Sequence, residues 1–379
     1  GGSDTLQINY AQYGLFSSLF RSGESGYILQ AGLGMDVSAY YPAYLIPYNL
    51  LLLLAPQRFL PWAVLAATYL KLMTISLVGY LFFRKRMDDG IGTMAAALAW
   101  TFSGYVMLWG QHYGFCTCVA LFTVFMYFLQ CYLDGGSRWK SAGLVIVVTM
   151  LLLSSYYFLY MTAAFAVVYV VIYSILQRRK IKDTVRNVLG LGGMGALGVM
   201  LGGAALMPIL DTFLESARAD VLSGKDTSSL LRPYRGRTLG TIIARFFSNQ
   251  MLGIEKEYTG SVNYYEGIVL AVSILTIFAV CYFLVKKRTR IRTVIFTTLA
   301  VLLAILPVTS RILVFTTSVH RWSFMLCFAE ALVIGFFIQD ACREKEKKTV
   351  FVGSILAVLL CGAMLAYVYR FPRIKVNTK

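Results

Sequence analysis

The dominant pattern along the chain is a series of long apolar runs separated by short, mostly basic, polar breaks. An α-helix needs about 20 consecutive apolar residues to cross a bilayer. About ten such segments are predicted. They lie roughly at 60–83, 90–109, 115–133, 141–153, 158–176, 188–207, 267–285, 291–307, 322–339 and 349–369. The fourth and fifth form one apolar stretch, Ser141–Leu176, interrupted by Ser154-Ser155-Tyr156-Tyr157. One helix of that length would overshoot the membrane. The pattern therefore predicts a helical hairpin turning at the Ser-Tyr cluster.

Ahead of the first run, Leu6, Tyr10, Tyr13, Phe16 and Phe20 recur at spacings of three and four. That is one face of a helix, suited to lying along a membrane surface. The apolar stretch Tyr44–Leu54, bounded by Pro42, Pro47 and Pro56, is too short to cross and reads as interfacial or re-entrant. The predicted fold is an all-α polytopic membrane protein. Its parts are a first loop (1–59), a first transmembrane bundle (60–207), a long polar loop (208–266), and a second bundle with its tail (267–379).

Charge orients these parts. Arg84-Lys85-Arg86, Arg138/Lys140, Arg178-Arg179-Lys180, Lys286-Lys287-Arg288 and Lys345/Lys347/Lys348 fall in alternate breaks. The breaks around Gln111-His112-Tyr113 and Ser154–Tyr157 carry no Lys or Arg. Basic loops stay cytoplasmic, so residues 1–59, 208–266, 308–321 and 370–379 are expected outside. The basic tail, Arg370, Arg373 and Lys375, runs against that rule. A chain whose residue 1 lies outside is expected to follow an earlier spanning helix.

Composition agrees with lipid as the main solvent. Of 379 residues, 58% are hydrophobic and 14% charged, too little polar surface to cover a water-soluble domain of this length. The net charge of +17 raises nucleic acid as a partner. Its confinement to short loops between apolar runs points to anionic lipid instead. Of the seven cysteines, Cys116, Cys118, Cys131, Cys281, Cys327 and Cys361 lie in apolar runs, and Cys342 lies beside a basic loop. There is no Cys-x-x-Cys pair, and His112 and His320 are the only histidines. Zinc and redox sites are thereby disfavoured, and the thiols read as small hydrophobes.

The candidate chemistry lies on the expected outer side. Asp4 stands where a carboxylate can remove a proton from an acceptor hydroxyl. Asp4-x-x-Gln7 equally reads as a helix cap. Asp36 follows Gly32-Leu33-Gly34, which permits either a substrate-shaping loop or a plain turn. Asp4 and Asp36 together offer oxygen ligands for a divalent metal ion. Arg232, Arg235 and Arg237, followed in the next outer loop by Arg311, His320 and Arg321, suit a phosphate leaving group. Lipid headgroups would satisfy the same arginines. Tyr264 and Glu266, in Asn263-Tyr264-Tyr265-Glu266-Gly267, suit sugar stacking and hydroxyl binding, or interfacial anchoring. Lys71 and Glu330 are the two ionisable groups well inside spanning segments, and are expected to pair or to face a wet cavity.

Taken in order, Gly2-Ser3-Asp4-x-x-Gln7, Gly32-Leu33-Gly34 leading to Tyr40-Tyr41-Pro42, Ser154-Ser155-Tyr156-Tyr157-Phe158-x-Tyr160 and Asn263–Gly267 resemble the bacterial YfhO family. That family is of the GT-C type of membrane glycosyltransferase. The resemblance implies a polyprenyl-phosphate sugar donor, used at the outer face of the bacterial cytoplasmic membrane. It also implies an envelope-polymer acceptor such as lipoteichoic acid, and an acidic catalytic residue in the first outer loop, where Asp4 stands. Two rival readings remain at this level. A flippase would use the arginines without bond cleavage and depend on Lys71 and Glu330. A non-catalytic envelope scaffold would tolerate loss of Asp4 and the arginines.

Overall fold

A computed structural model describes residues 9–24, 26–29, 34–37, 44–110, 112–135, 138–203, 207, 230–247, 274–314 and 320–370. They are helical almost throughout, with one two-residue antiparallel strand pair. Contacts divide the chain into two units. One joins Gly1–Phe82 to Trp109–Ala219, and the other joins Phe83–Leu108 to Asp220–Lys379.

The first unit begins with helix α1 (Ala11–Ser22), strands β1 (Tyr27–Ile28) and β2 (Met35–Asp36), and helix α2 (Pro47–Leu54). The 25-residue α3 (Leu60–Arg84) follows; at 1.5 Å per residue it is roughly 37 Å long, enough to cross. After the part of the chain that belongs to the second unit come α6 (Tyr113–Leu133), α7 (Arg138–Ser154), α8 (Tyr156–Leu176) and α9 (Ile181–Leu201). α7 packs on both α6 and α9. The predicted break in 141–176 falls where the Ser-Tyr cluster put it. Ser155 is extended, and its side chain accepts a hydrogen bond from Phe158 N, capping α8. Serine does this well because its short hydroxyl replaces the missing main-chain partner of the first turn.

α1 does not simply lie on lipid. Tyr13, Phe16 and Leu19 are buried in one cluster with Tyr44, Leu52, Leu53, Leu60 and Val64. Phe20, in the last turn, is 44% exposed, so the buried stripe ends before it. The aromatic face predicted from spacing is real, but the protein itself covers most of it.

The second unit holds α4 (Gly90–Thr101), α5 (Gly104–Trp109), α10 (Arg237–Ala244), α11 (Leu275–Val285), α12 (Arg290–Ile305), α13 (Pro307–Val314), α14 (Phe324–Ala341) and α15 (Lys347–Arg370). α14 packs along α4, and α11 packs between α14 and α15. Asp89 caps α4 by accepting from Gly92 N at 2.9 Å.

Among the described residues, seven helical stretches are long and apolar enough to cross a membrane. The number becomes eight if α12 and α13, bent by 76° at Pro307, count as one span. Every one of the predicted segments meets a helix, but two of these helices, Trp139–Ser154 and Leu275–Val285, are short of a full crossing. Residues 267–273 of the second lie outside the described region. Two stretches expected as outer loops contain helices, α10 and α13. α13 starts at a proline, which is well placed there because a first-turn N–H has no helical partner to lose.

At the end of α11, Lys286 Nζ donates to Asp340 Oδ2 at 2.9 Å, Glu346 Oε1 at 3.0 Å and Tyr282 Oη at 3.1 Å. Burial disfavours the Lys286 charge, but bonds to Asp340, Tyr282 and Glu346 outweigh this and raise its pKa. The bond from Lys286 holds the Glu346 carboxyl below its ordinary value. The signs follow. The Lys286 contribution is complete below 10.5 and is lost only as pH rises through its higher folded value. The Glu346 contribution is present above 4.5 and is lost as pH falls through its lower folded value. Lys286→Met is expected to cost about 1–3 kcal/mol, the worth of hydrogen bonds to charged groups. Arg343→Ala, 58% exposed, should stay within about 0.5 kcal/mol. Thermal unfolding in detergent at pH 7 checks both variants, and a series carried below pH 4.5 should show a flatter acid limb in Glu346→Gln.

Candidate functional site

In the second unit, the residues before α10 meet the break between α12 and α13. Tyr234 N donates to Ile305 O at 2.9 Å, and Val308 N donates to Leu230 O at 3.1 Å. These two main-chain bonds hold the 230–237 segment against the bend. The Tyr234 ring stands edge-on to His320, with centroids 5.4 Å apart. Trp322 Nε1 donates to Ser310 Oγ at 3.1 Å. Burial raises the Tyr234 phenol pKa, partly offset by its hydrogen bond with Ser310. His320, Trp322, Ser310 and Ser323 are buried. A closed polar and aromatic patch results.

Predicted site residues flank this patch. Arg232, Arg235 and Arg237 are exposed on the 230–237 segment, and Arg311 and Arg321 are half-buried on α13 and beside His320. Guanidinium keeps its charge at any physiological pH and presents a planar fork of donors. The contact of Tyr234 with His320 sets the segment that carries Arg235 and Arg237 against the one that carries Arg321. Asp4, Tyr264 and Glu266 lie outside the described residues.

Asp36 sits on β2 opposite Tyr27. The turn before it uses Gly34 at φ 113°, where a Cβ would fall on the Tyr27 ring. Glycine is required there both by conformation and by space. Among the described residues, no group of three or more His, Cys, Asp and Glu side chains is placed to hold a metal ion. Asp4 being outside them, the paired-carboxylate reading of Asp4 and Asp36 stays an expectation. All seven cysteines are free thiols and six are buried, as their apolar settings predicted.

The family model described as bacterial membrane protein YfhO matches residues 6–378. The chain belongs to the YfhO family. Among curated proteins and among solved structures, no match was found.

This YfhO protein also has an apolar groove of about 440 Å³ in its first unit, bordered by α8 and α9. Tyr156, Tyr160, Val167, Leu191, Gly192 and Gly195 are among its walls. A Cβ added at Gly192 or Gly195 would meet nothing within 4 Å, so the glycines open the groove rather than close a helix contact. Lipid-chain carbon would fit such a wall without any polar group left unpaired.

Among the described residues, Lys71 and Arg245 are buried cations. Lys71 is 1% exposed, and its Nζ donates to Tyr113 O at 3.1 Å. Glu330 accepts from Thr276 at 3.4 Å. Each group therefore has a partner within its own unit. The second cation, Arg245, lies in the stretch expected to form a long polar loop, yet it is wholly buried at the end of α10. The signal lay in its spacing. Thr241, Ile242 and Ala244 are buried on the same short helix, and position 245 continues that face.

Proposed function

We propose that this YfhO protein transfers a sugar from a polyprenyl-phosphate donor to a cell-envelope hydroxyl, at the outer face of the bacterial cytoplasmic membrane. The observation that carries the reading is the meeting of the Arg235–Arg237 segment with the His320–Arg321 segment around Tyr234. A departing phosphate needs fixed positive charge, and arginine forks match its oxygens. The α8–α9 groove supports the same reading, because a polyprenyl chain is apolar along its length.

In the proposed step, Asp4 removes the acceptor hydroxyl proton as that oxygen attacks the anomeric carbon. The bond from that carbon to the phosphate oxygen breaks, and polyprenyl phosphate leaves with the electron pair. Arg321, with Arg235 or Arg237, stabilises the growing charge. Tyr264 and Glu266 hold the sugar, and Asp36 shapes the loop beside it. A single displacement inverts the anomeric configuration.

The test is turnover of a radiolabelled polyprenyl-phosphate sugar by the protein in membranes, measuring both released lipid phosphate and labelled acceptor. Arg321→Gln is expected to lower kcat/KM for the donor by about 10²–10³ fold, in line with removal of one charge-stabilising donor. Donor that crosses the bilayer intact, without release of lipid phosphate, would replace transfer with flipping.

A further inference from the structure

A second cavity lies in the first unit, on the side that carries the basic breaks, and the proposed reaction makes no use of it. It measures about 550 Å³, and its walls include Tyr132, Asp134, Ser141, Arg179, Arg186 and Asn187. These residues come from the end of α6, the start of α7, the turn after α8 and the first half of α9. An ordinary solvated loop would leave its polar side chains in water. Here several of them are held in place around a space.

Arg179 is held most firmly. Its Nη2 donates to Leu133 O at 2.8 Å, and its guanidinium lies 4.9 Å over the Tyr173 ring. These contacts use one edge and one face of the guanidinium plane and leave other N–H groups for a ligand. Arg178 adopts φ 52°, and Arg179 N donates to Ser174 O at 2.9 Å, so the α8 terminus itself turns Arg179 toward α6. Arg186 pairs at 3.5 Å with Asp183 but remains 77% exposed, with most of its fork unused. Asp134 accepts from Gln130 at 2.7 Å and from Tyr173 at 3.1 Å, both through Oδ1.

Asn187 decides the chemistry. It is 9% exposed, it lines the cavity, and its Nδ2 has no hydrogen-bond acceptor among the described residues. A buried amide donor without an acceptor is costly, and a bound acceptor would remove the cost. Two guanidiniums beside an unsatisfied N–H call for an oxyanion with several oxygens. Among the wall residues themselves, Arg179 and Arg186 stand against the single carboxylate of Asp134, while Asp183, which pairs with Arg186, lies outside the walls.

We infer that this cavity binds a phosphate group, with Arg179, Arg186 and Asn187 donating to its oxygens. The same chemistry is offered by the headgroup of an anionic phospholipid and by soluble phosphate. Either ligand joins the ends of α6, α8 and α9, so binding stabilises the folded protein by mass action. The site does not depend on the sugar-transfer reading.

The test is thermal unfolding of the purified full chain in detergent, titrated separately with phosphatidylglycerol, phosphatidylcholine and inorganic phosphate. Arg186→Gln and Asn187→Leu are the diagnostic variants. Arg186 is exposed and the Asn187 Nδ2 has no acceptor among the described residues to lose, so both should fold. Lys182→Gln, an exposed charge on the same helix outside the cavity walls, is the control. The expected result is a rise in Tm with phosphatidylglycerol. Its half-saturating concentration should increase about 5–10-fold in each diagnostic variant and stay unchanged in Lys182→Gln. The same pattern with inorganic phosphate alone would also support the site and assign it to a soluble ligand. If no addition shifts Tm, the inference fails. It fails too if Arg186→Gln and Asn187→Leu match the parent, or if Lys182→Gln weakens the response equally, since the effect then belongs to general surface charge.

Discussion

Asp4→Asn is expected to stop sugar transfer while leaving the folded protein as stable as its parent. The substitution separates two roles that the sequence leaves open. As a helix cap, Asn serves about as well as Asp, because either side-chain oxygen can accept from a first-turn N–H. As a general base, an amide is useless, since it cannot take the proton from the acceptor hydroxyl. Losing general base catalysis costs about 10²–10⁴ fold in kcat. Turnover of labelled donor and thermal unfolding should therefore part company in this variant. Equal turnover in parent and variant would remove Asp4 from the chemistry and return it to capping.

The second large effect concerns the helix contact that organises the other unit. A Cβ at Gly92 would lie 2.7 Å from the Gly335 carbonyl oxygen and 2.9 Å from Gln339 Cβ. The first of these neighbours is backbone, which can give way only if α4 and α14 move apart. Gly92→Ala gains about 1 kcal/mol in helix propensity. Overpacking a tight contact costs typically 1–3 kcal/mol and occasionally more. We expect Gly92→Ala to be net destabilising and Gly92→Leu to leave little folded protein in detergent. Gly193→Ala is the counterpart, since a Cβ there meets nothing within 4 Å. It should unfold within a degree or two of the parent. Size-exclusion profiles after heating would read all three, and a folded Gly92→Leu variant of parental stability would refute the close contact.

The helices were legible because hydrocarbon imposes a coarse rule on sequence, and each apolar run met a helix. The Ser155 break was legible for a similar reason, since a polar pair inside an overlong apolar stretch has few other uses. Other features escaped because they depend on residues distant in sequence. Nothing in the composition of 208–266 distinguishes buried Arg245 from exposed Arg237; the difference comes from α10 packing on α15. α13 was hidden because the charge pattern marked 308–321 as a loop, while Pro307 can end one helix and begin the next. Of the site, arginine chemistry was readable, but the contact of Tyr234 with His320 was not. Asn187 gave no warning, being one of five polar residues in the first two turns of α9.

The bend at Pro307 has a consequence for how this protein can diversify. Two peptide groups beside the bend, Ile305 O and Val308 N, are satisfied by Tyr234 N and Leu230 O. Both bonds are main chain to main chain, so the path of the 230–237 segment does not depend on its side chains for them. Arg232, Arg235 and Arg237 can then be exchanged for other residues while the backbone that presents them stays in place. Such a separation lets point mutations change the charge this segment presents, without redesigning the helices beneath.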